Sequence, residues 1–271
     1  MPSGLIPADR QKRIYDLLRE QGVVKVNEIS KLLGVSELTI RRDLDVLEKK
    51  EILERTHGGA IYNQRMPVEP LYEQKHRLHK EEKKAIGRYA AELIEDGDTI
   101  LINSGSTTLE VINNLRNKSV RIITSNLGAI YKSVESKFEL IMLGGLFRSQ
   151  SNSLVGEFAQ ILLKRVYGAK TIIGVDGFSI KYGLTTPVLE EAGIANKMIE
   201  STLGMVIVVA DYSKLGVVSN FVSAPINKVN VLVTDDKIDD EYRNSLEEIG
   251  IRVVVASLNV AKATSRPSIK Q

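Results

Sequence analysis

The chain contains no cysteine and no tryptophan, and only three histidines among its 271 residues. Without thiols there are neither disulfides nor thiolate metal sites, an absence that fits a reducing compartment. His57, His76 and His79 are the only imidazoles. His76 and His79 stand i, i+3 in a charged stretch and read as surface residues, so no metal site is expected. Long apolar runs are missing too. None approaches the ~18 residues needed to cross a bilayer; the longest, 205–210, stops at Asp211 and has the length of a buried strand. Residues 1–13 hold no apolar signal region. A cytoplasmic protein without membrane contacts is the expectation. Neither sign of charge dominates: 37 Lys and Arg face 34 Asp and Glu, for a net +3. That balance permits nucleic-acid binding but does not require it. The functional reading therefore rests on pattern.

Residues 8–62 read as one unit. Ile14, Leu17 and Leu18 share a helical face, Gly22 ends that helix, and 23–26 is a short extended piece. Asn27 is the expected N-cap of a second helix, with Ile29, Leu32 and Leu33 turned inward and Gly34 closing it. Ser36 caps a third helix whose inner face is Ile40, Leu44 and Leu47. The Gly58-Gly59 pair then suits a hairpin turn. Three short helices and a hairpin make a winged helix-turn-helix, spanning 1–63. The third helix turns Glu37, Thr39, Arg41, Arg42 and Asp45 outward for the major groove. Glu37, Thr39, Arg41 and Arg42 are the expected base readers, since Arg pairs bidentately with guanine and Thr touches a thymine methyl. Ser36 belongs to the same face. Lys25, Lys49, Lys50, Arg55 and His57 are placed to meet phosphates. A lone Arg-Arg on a helix is more often a pair of solvated charges, paired with Asp43 or Asp45; here the three-helix spacing outweighs that.

Residues 64–79 hold Pro67, Pro70 and many charges with little periodicity, and read as a linker. A helix is expected over 80–95. Short apolar runs at 99–102, 120–124, 139–143, 171–175, 206–210, 229–234 and 252–256 then alternate with helical stretches. That alternation implies a mostly parallel α/β sheet over 80–258. The tail 259–271 is polar and expected to be disordered.

Polar loops follow several of these runs, and open parallel sheets bind ligands outside the carboxyl ends of their strands. Asn103-Ser104-Gly105-Ser106-Thr107-Thr108 opens a helix after the first run. Its small residues and hydroxyls favour an anion, phosphate above all, although a ligand-free Ser/Thr cap has the same look. Asn126, Gly144, Gly145 with Arg148, Asp176 and Lys214 end later runs. Arg148 or Lys214 would neutralise phosphate, while Asp176 or Asn126 would accept from sugar hydroxyls. Lys197, on a helix with Glu190 and Glu191, divides evenly between crevice and solvent. No Gly-x-x-x-x-Gly-Lys-Ser/Thr is present, so a nucleotide loop is not supported.

Together these segments resemble the DeoR (GlpR-type) family of transcription regulators. The resemblance lies in Arg10-x-x-x-Ile14-x-x-x-Leu18, Ser36-x-x-Thr39-Ile40-Arg41-Arg42-Asp43-Leu44 and Arg55-Thr56-His57-Gly58-Gly59-Ala60. It continues through Leu143-Gly144-Gly145, Gly174-Val175-Asp176-Gly177, Gly183-Leu184-Thr185-Thr186-Pro187 and Ala210-Asp211-Tyr212-Ser213-Lys214. What the resemblance implies is a regulator, expected to be a repressor of carbohydrate metabolism. It would bind double-stranded operator DNA as a homo-oligomer, dimer or tetramer, and answer to a phosphorylated sugar in a domain folded like ribose-5-phosphate isomerase. No cofactor beyond that effector is expected. The family usually has Asp-Ser-Gly-Thr-Thr-Thr at the first loop; Asn103 and Ser106 depart from it, which leaves the choice of sugar open. Two other readings compete: a sugar-phosphate isomerase using Asp176 as base with Lys197 beside it, and an architectural DNA-binding protein whose second domain only oligomerises.

Overall fold

The computed structural model describes residues 6–50, 52–56, 58–62, 64–66, 69 and 71–258. The N-terminal unit starts with α1 (Pro7–Gln21), which ends at Gly22, in a positive-φ conformation that suits glycine. Next come β1 (Val23–Lys25), α2 (Val26–Leu33) and α3 (Glu37–Lys49). Lys25, not Asn27, is the N-cap of α2, because the strand runs directly into the helix. Leu32 is exposed rather than inward; the helix begins two residues early, and its inner face is Val26 and Ile29 with Leu33 half-buried one turn on. Gly34 closes α2 at φ 65°, left-handed as expected. Ser36 caps α3, with Thr39 N–H donating to its hydroxyl at 3.2 Å. Ile14, Leu18, Ile29, Ile40, Leu44 and Leu47 form one core.

The hairpin is β2 (Leu53–Arg55) and β3 (Gly59–Tyr62), and β1 joins it in a three-stranded sheet ordered β1-β3-β2. Gly59 is needed for a packing reason: a Cβ there would lie 2.0 Å from the carbonyl oxygen of Val24 on the neighbouring strand.

The segment 64–79 is not a plain linker. β4 (Gln64–Met66) and α4 (Tyr72–Arg77) lie within it, and β4 pairs with a strand of the second unit. Proline and charge hid this, because both elements take their stability from partners far along the chain.

The second unit contains α5 (Lys80–Glu92), β5 (Thr99–Ile102), α6 (Ser106–Asn114), β6 (Arg121–Thr124), α7 (Ala129–Ser133) and β7 (Glu139–Met142). The hairpin β8 (Leu146–Arg148) and β9 (Ser153–Val155) leads to α8 (Glu157–Leu163), β10 (Gly168–Gly174), β11 (Gly177–Ser179), β12 (Gly183–Thr186) and α9 (Leu189–Glu200). The chain continues through β13 (Thr202–Val209), β14 (Val217–Ser219), β15 (Phe221–Ala224), β16 (Val231–Asp235), α10 (Asp240–Glu248) and β17 (Arg252–Ala256). All seven expected runs enter one sheet, ordered β17-β16-β13-β10-β5-β6-β7, and every pairing in it is parallel. Alternate residues feed two cores: Ile100, Ile102 and Ile172 pack toward α5 and α6, while Leu101 and Ile173 pack toward α8 and α9. A small antiparallel sheet, β11-β12-β15, extends the second of these layers.

The strand order sets the site. From β5 the chain builds outward through β6 and β7, then returns through β10, β13, β16 and β17 on the other side. The switch point lies between β5 and β10, where diverging connections leave a crevice.

Candidate functional site

On α3, Glu37, Leu38, Arg42, Asp45 and Lys49 are exposed, and Thr39 and Arg41 are half-buried. Arg41 Nη2 lies 3.9 Å from Glu37 Oε2, a loose exposed pair, and Thr39 shares its hydroxyl with Ser36 at 2.9 Å. Leu38, an apolar side chain on this outward face, was missed, because helical periodicity alone does not separate it from core residues. Beneath the face Asp43 is buried and grips the Arg10 guanidinium of α1, with Gln11 Nε2 donating to the same carboxylate at 3.2 Å. Arg10 and Asp43 both belong to the pattern that carried the family resemblance, and here they join α1 to α3.

The wing residues depart from expectation. Arg55 does not point away as a phosphate contact: its guanidinium pairs with Asp45 and donates to the Arg41 carbonyl at 3.1 Å. His57 lies outside the described residues. Lys25, half-buried at the end of β1, also caps α2.

The hairpin is docked on the second unit. Glu54, 2% exposed, accepts from Ser179 Oγ and from Lys181 N–H at 3.1 Å. Thr56 donates to Glu241 at 3.3 Å, and Ile61 sits in the core of the second unit. Burial raises the Glu54 carboxyl above its ordinary 4.5, against the lowering by its hydrogen bonds. A raised carboxyl favours the docked state while protonated. That contribution is complete below 4.5 and is lost as pH rises through the higher value it has when docked. Glu54→Gln keeps the bond from Lys181 N–H and replaces the one from Ser179 by a reversed bond, its amide N–H donating to Ser179 Oγ. The variant is expected to melt close to wild type at pH 4.5 and progressively higher than wild type toward pH 7.5. Thermal melts across this range check it; a constant difference would show that Glu54 is not a titrating dock.

The crevice between β5 and β10 is a cleft open to solvent, with about 700 Å³ of free space counted together with the solvent at its mouth. Its lining includes Asn103, Ser104, Gly105, Ser106 and Thr107 of the first loop, Asp176 after β10, and Lys214 after β13. Asn103 clamps the switch point: its amide nitrogen donates to the Gly174 carbonyl at 2.9 Å, and its oxygen accepts from Gly174 N–H at 2.8 Å. A carboxylate makes only the second of these bonds, which gives Asn in place of the usual Asp a local structural reason. Thr108 lies just behind the loop, donating to the Asn103 and Gly105 carbonyls at 2.9 and 3.0 Å.

Several expected site residues have other work. Asn126 is fully buried, braces the Gly105 carbonyl at 3.0 Å and accepts from Gly128 N–H. Gly144 and Gly145 lead into β8 and do not line the crevice; Gly145, at φ 125°, lets the backbone pass the Val155 carbonyl. Arg148 grips Glu69 bidentately at 2.7 and 2.9 Å, tying down the interdomain segment rather than facing a ligand. Lys197 pairs with Glu200 on α9 at 2.8 Å and is absent from the lining.

In their place the crevice takes Tyr72 and Lys75 from α4, Lys83 from α5, Ser151, Thr185, Thr186, Glu191 and Ser223. Lys75 Nζ lies 2.7 Å from Asp176 Oδ1, and Thr186 donates to the other oxygen at 3.0 Å. Lys83, 4% exposed, donates to the carbonyls of Lys75 and, at 2.8 Å, Leu78. Burial, with Lys214 and Lys75 nearby, depresses its ammonium to about 8, against the opposing pull of Asp211. Burial likewise raises Glu191. Lys75 and Lys83 carry no motif; in the sequence they look like solvated charges. The lining is thus cationic on the side of α4, α5 and Lys214, acidic at Asp176 and Glu191, and rich in hydroxyls between. No cluster of potential metal ligands occurs among the described residues, nor is any helix there long and apolar enough to cross a membrane.

Comparison with known proteins gives the chain its place. The DeoR-like helix-turn-helix domain matches residues 10–66, and the DeoR C terminal sensor domain matches residues 78–236. The HTH-type transcriptional regulator GlpR of Haloferax volcanii is 32% identical, over 92% of this chain and 98% of its own. A putative aga operon transcriptional repressor of Escherichia coli O157:H7 is 33% identical, over 92% of this chain and 93% of its own. Among solved structures, ribose 5-phosphate isomerase A of Methanocaldococcus jannaschii aligns with 49% of this chain and 53% of its own, at 18% identity and a TM-score of 0.35. With a helix-turn-helix unit joined to a sensor unit, and relatives that are regulators along nearly their whole length, the chain is a DNA-binding transcription regulator of the DeoR family and not an enzyme.

Proposed function

We propose that the protein represses a carbohydrate-metabolism operon and leaves its operator when a phosphorylated sugar occupies the crevice at the β5–β10 switch point. The crevice lining carries this reading: Lys83, Lys214 and the first-loop hydroxyls suit a phosphate, while Asp176, Glu191 and the Thr185–Thr186 hydroxyls suit a polyol. The named role of the aga operon relative supports it from outside the chain. The effector is the only small molecule the reading requires; no cofactor enters it. Operator binding is by a homo-oligomer, dimer or tetramer, with half-sites about one helical turn apart or a multiple of that. Effector and operator favour different arrangements of the two units, and a coupling of roughly 1–3 kcal/mol is enough for a switch. A sugar phosphate that binds the native chain raises its melting temperature. The test is a thermal-shift panel of hexose and pentose phosphates, repeated with operator DNA in a gel shift. One member is expected to stabilise the protein and release the DNA. If no member does either, the effector reading fails.

A further inference from the structure

We propose that Lys75 of the interdomain helix α4 occupies the effector site as an internal competitor, so that a sugar phosphate enters only by displacing it. The inference rests on the proposed effector class. Lys75 engages the crevice at both of its polar ends. Its backbone carbonyl accepts from Ser106 Oγ at 3.3 Å and from the Lys83 ammonium. Its own ammonium pairs with Asp176 at 2.7 Å. Ser106 and Lys83 are donors suited to a phosphate oxygen, and Asp176 is an acceptor suited to a sugar hydroxyl. One residue of the chain therefore holds groups that both halves of a sugar phosphate need. Lys83 also lies in a buried setting that depresses its ammonium, and a dianion there would be a far better partner than a neutral carbonyl.

Displacing Lys75 has consequences beyond the crevice, because α4 is fastened at its N-terminal end. Tyr72 N–H donates to the Gln150 carbonyl at 2.9 Å, and Glu69 is gripped by Arg148. Upstream, β4 is paired with β14, and the hairpin before it is docked through Glu54 and Ile61. The covalent path from crevice to DNA-reading unit thus runs through the helix the ligand has to move. A ligand that binds better with α4 displaced shifts the population toward that state, and the apparent affinity is lowered by the fraction of chains in which Lys75 stays in place.

The experiment uses the full-length protein, with hexose 1-phosphates, hexose 6-phosphates and pentose 5-phosphates as probes and inorganic phosphate and the unphosphorylated sugars as controls. Titration calorimetry compares wild type with Lys75→Gln, and amide hydrogen exchange follows residues 71–79 in the wild type. The expected result is a several-fold tighter Kd for the variant, operator release at correspondingly lower concentrations, and faster exchange across 71–79 when the probe binds wild type. If a probe binds wild type but Lys75→Gln binds equally or more weakly, or exchange across 71–79 slows or stays constant, the inference is overturned while the effector reading stands. If no probe binds either protein, both fall. Should Lys75→Gln fold poorly, the wild-type exchange measurement still decides.

Discussion

Asp43→Ala is expected to unfold the helix-turn-helix unit and abolish DNA binding while the sensor unit keeps its fold. Asp43 and Arg10 are 5% and 11% exposed at the side chain, and they form a multidentate contact between α1 and α3. Removing one member of a buried pair leaves a desolvated charge behind and typically costs about 3–5 kcal/mol. Here the loss falls on a unit with a single small core of Ile14, Leu18, Ile40, Leu44 and their neighbours. Units of that size have little reserve. The measurement is limited proteolysis with circular-dichroism melts: cleavage within 7–49 should become rapid, and helical signal should fall by the share that α1 to α3 contribute. The double variant Arg10→Met, Asp43→Leu tests the cause. With both charges replaced by apolar groups much of the stability should return. If Asp43→Ala melts like the wild type, the pair is not what joins α1 to α3.

Arg42→Ala is expected to leave the fold intact and weaken operator binding by roughly 5- to 150-fold, the equivalent of about 1–3 kcal/mol for one lost bidentate base contact. Arg42 is exposed on α3, whereas Arg41 sits beside Glu37 and is partly covered. The loss should be selective, with the preference at one base pair relaxed. Lys49→Ala, at the end of the same helix, should instead weaken all sequences alike and lower the salt slope by about one. Fluorescence anisotropy with operator and scrambled duplexes at several salt concentrations separates the two. Equal losses on both duplexes for Arg42→Ala would make it a phosphate contact and would move base reading to Thr39, Glu37 or Leu38.

Much of the sensor unit is legible in the sequence alone, because its signals are local. A buried parallel strand announces itself as a short apolar run, and the seven runs all became strands of one sheet. The crevice loop after β5 was legible for the same reason: small and hydroxyl residues mark a strand-to-helix turn whatever surrounds them. Corrections cluster where a side chain has a choice of partner. By sequence Arg148 reads as a phosphate ligand, and Lys197 divides evenly between crevice and solvent. Their actual partners, Glu69 and Glu200, lie seventy-nine residues away and three residues away. Charge patterning distinguishes neither from an open cation.

The winged unit shows the same division. Ser36, Gly34 and the Ile40, Leu44 and Leu47 face follow from capping chemistry and a 3.6-residue period, and the structure has them as read. The docking of its hairpin through Glu54 does not follow, since an acidic residue in a polar hairpin gives no hint of a buried hydrogen-bonded contact with Ser179. The segment 64–79 is the sharpest case. By composition it is a tether, yet its strand and helix gain their partners from the sensor unit, and its Lys75 reaches into the crevice.

The sequence by itself determined the three-helix reader, the parallel α/β sheet and the hydroxyl-rich loop at a strand end, because each is written in contacts between residues a few positions apart. Only the tertiary structure decided which charges face the crevice, that the wing is docked, and that α4 covers the site. Most of those outcomes depend on pairings between residues tens to more than a hundred positions apart, whose energies no local pattern records.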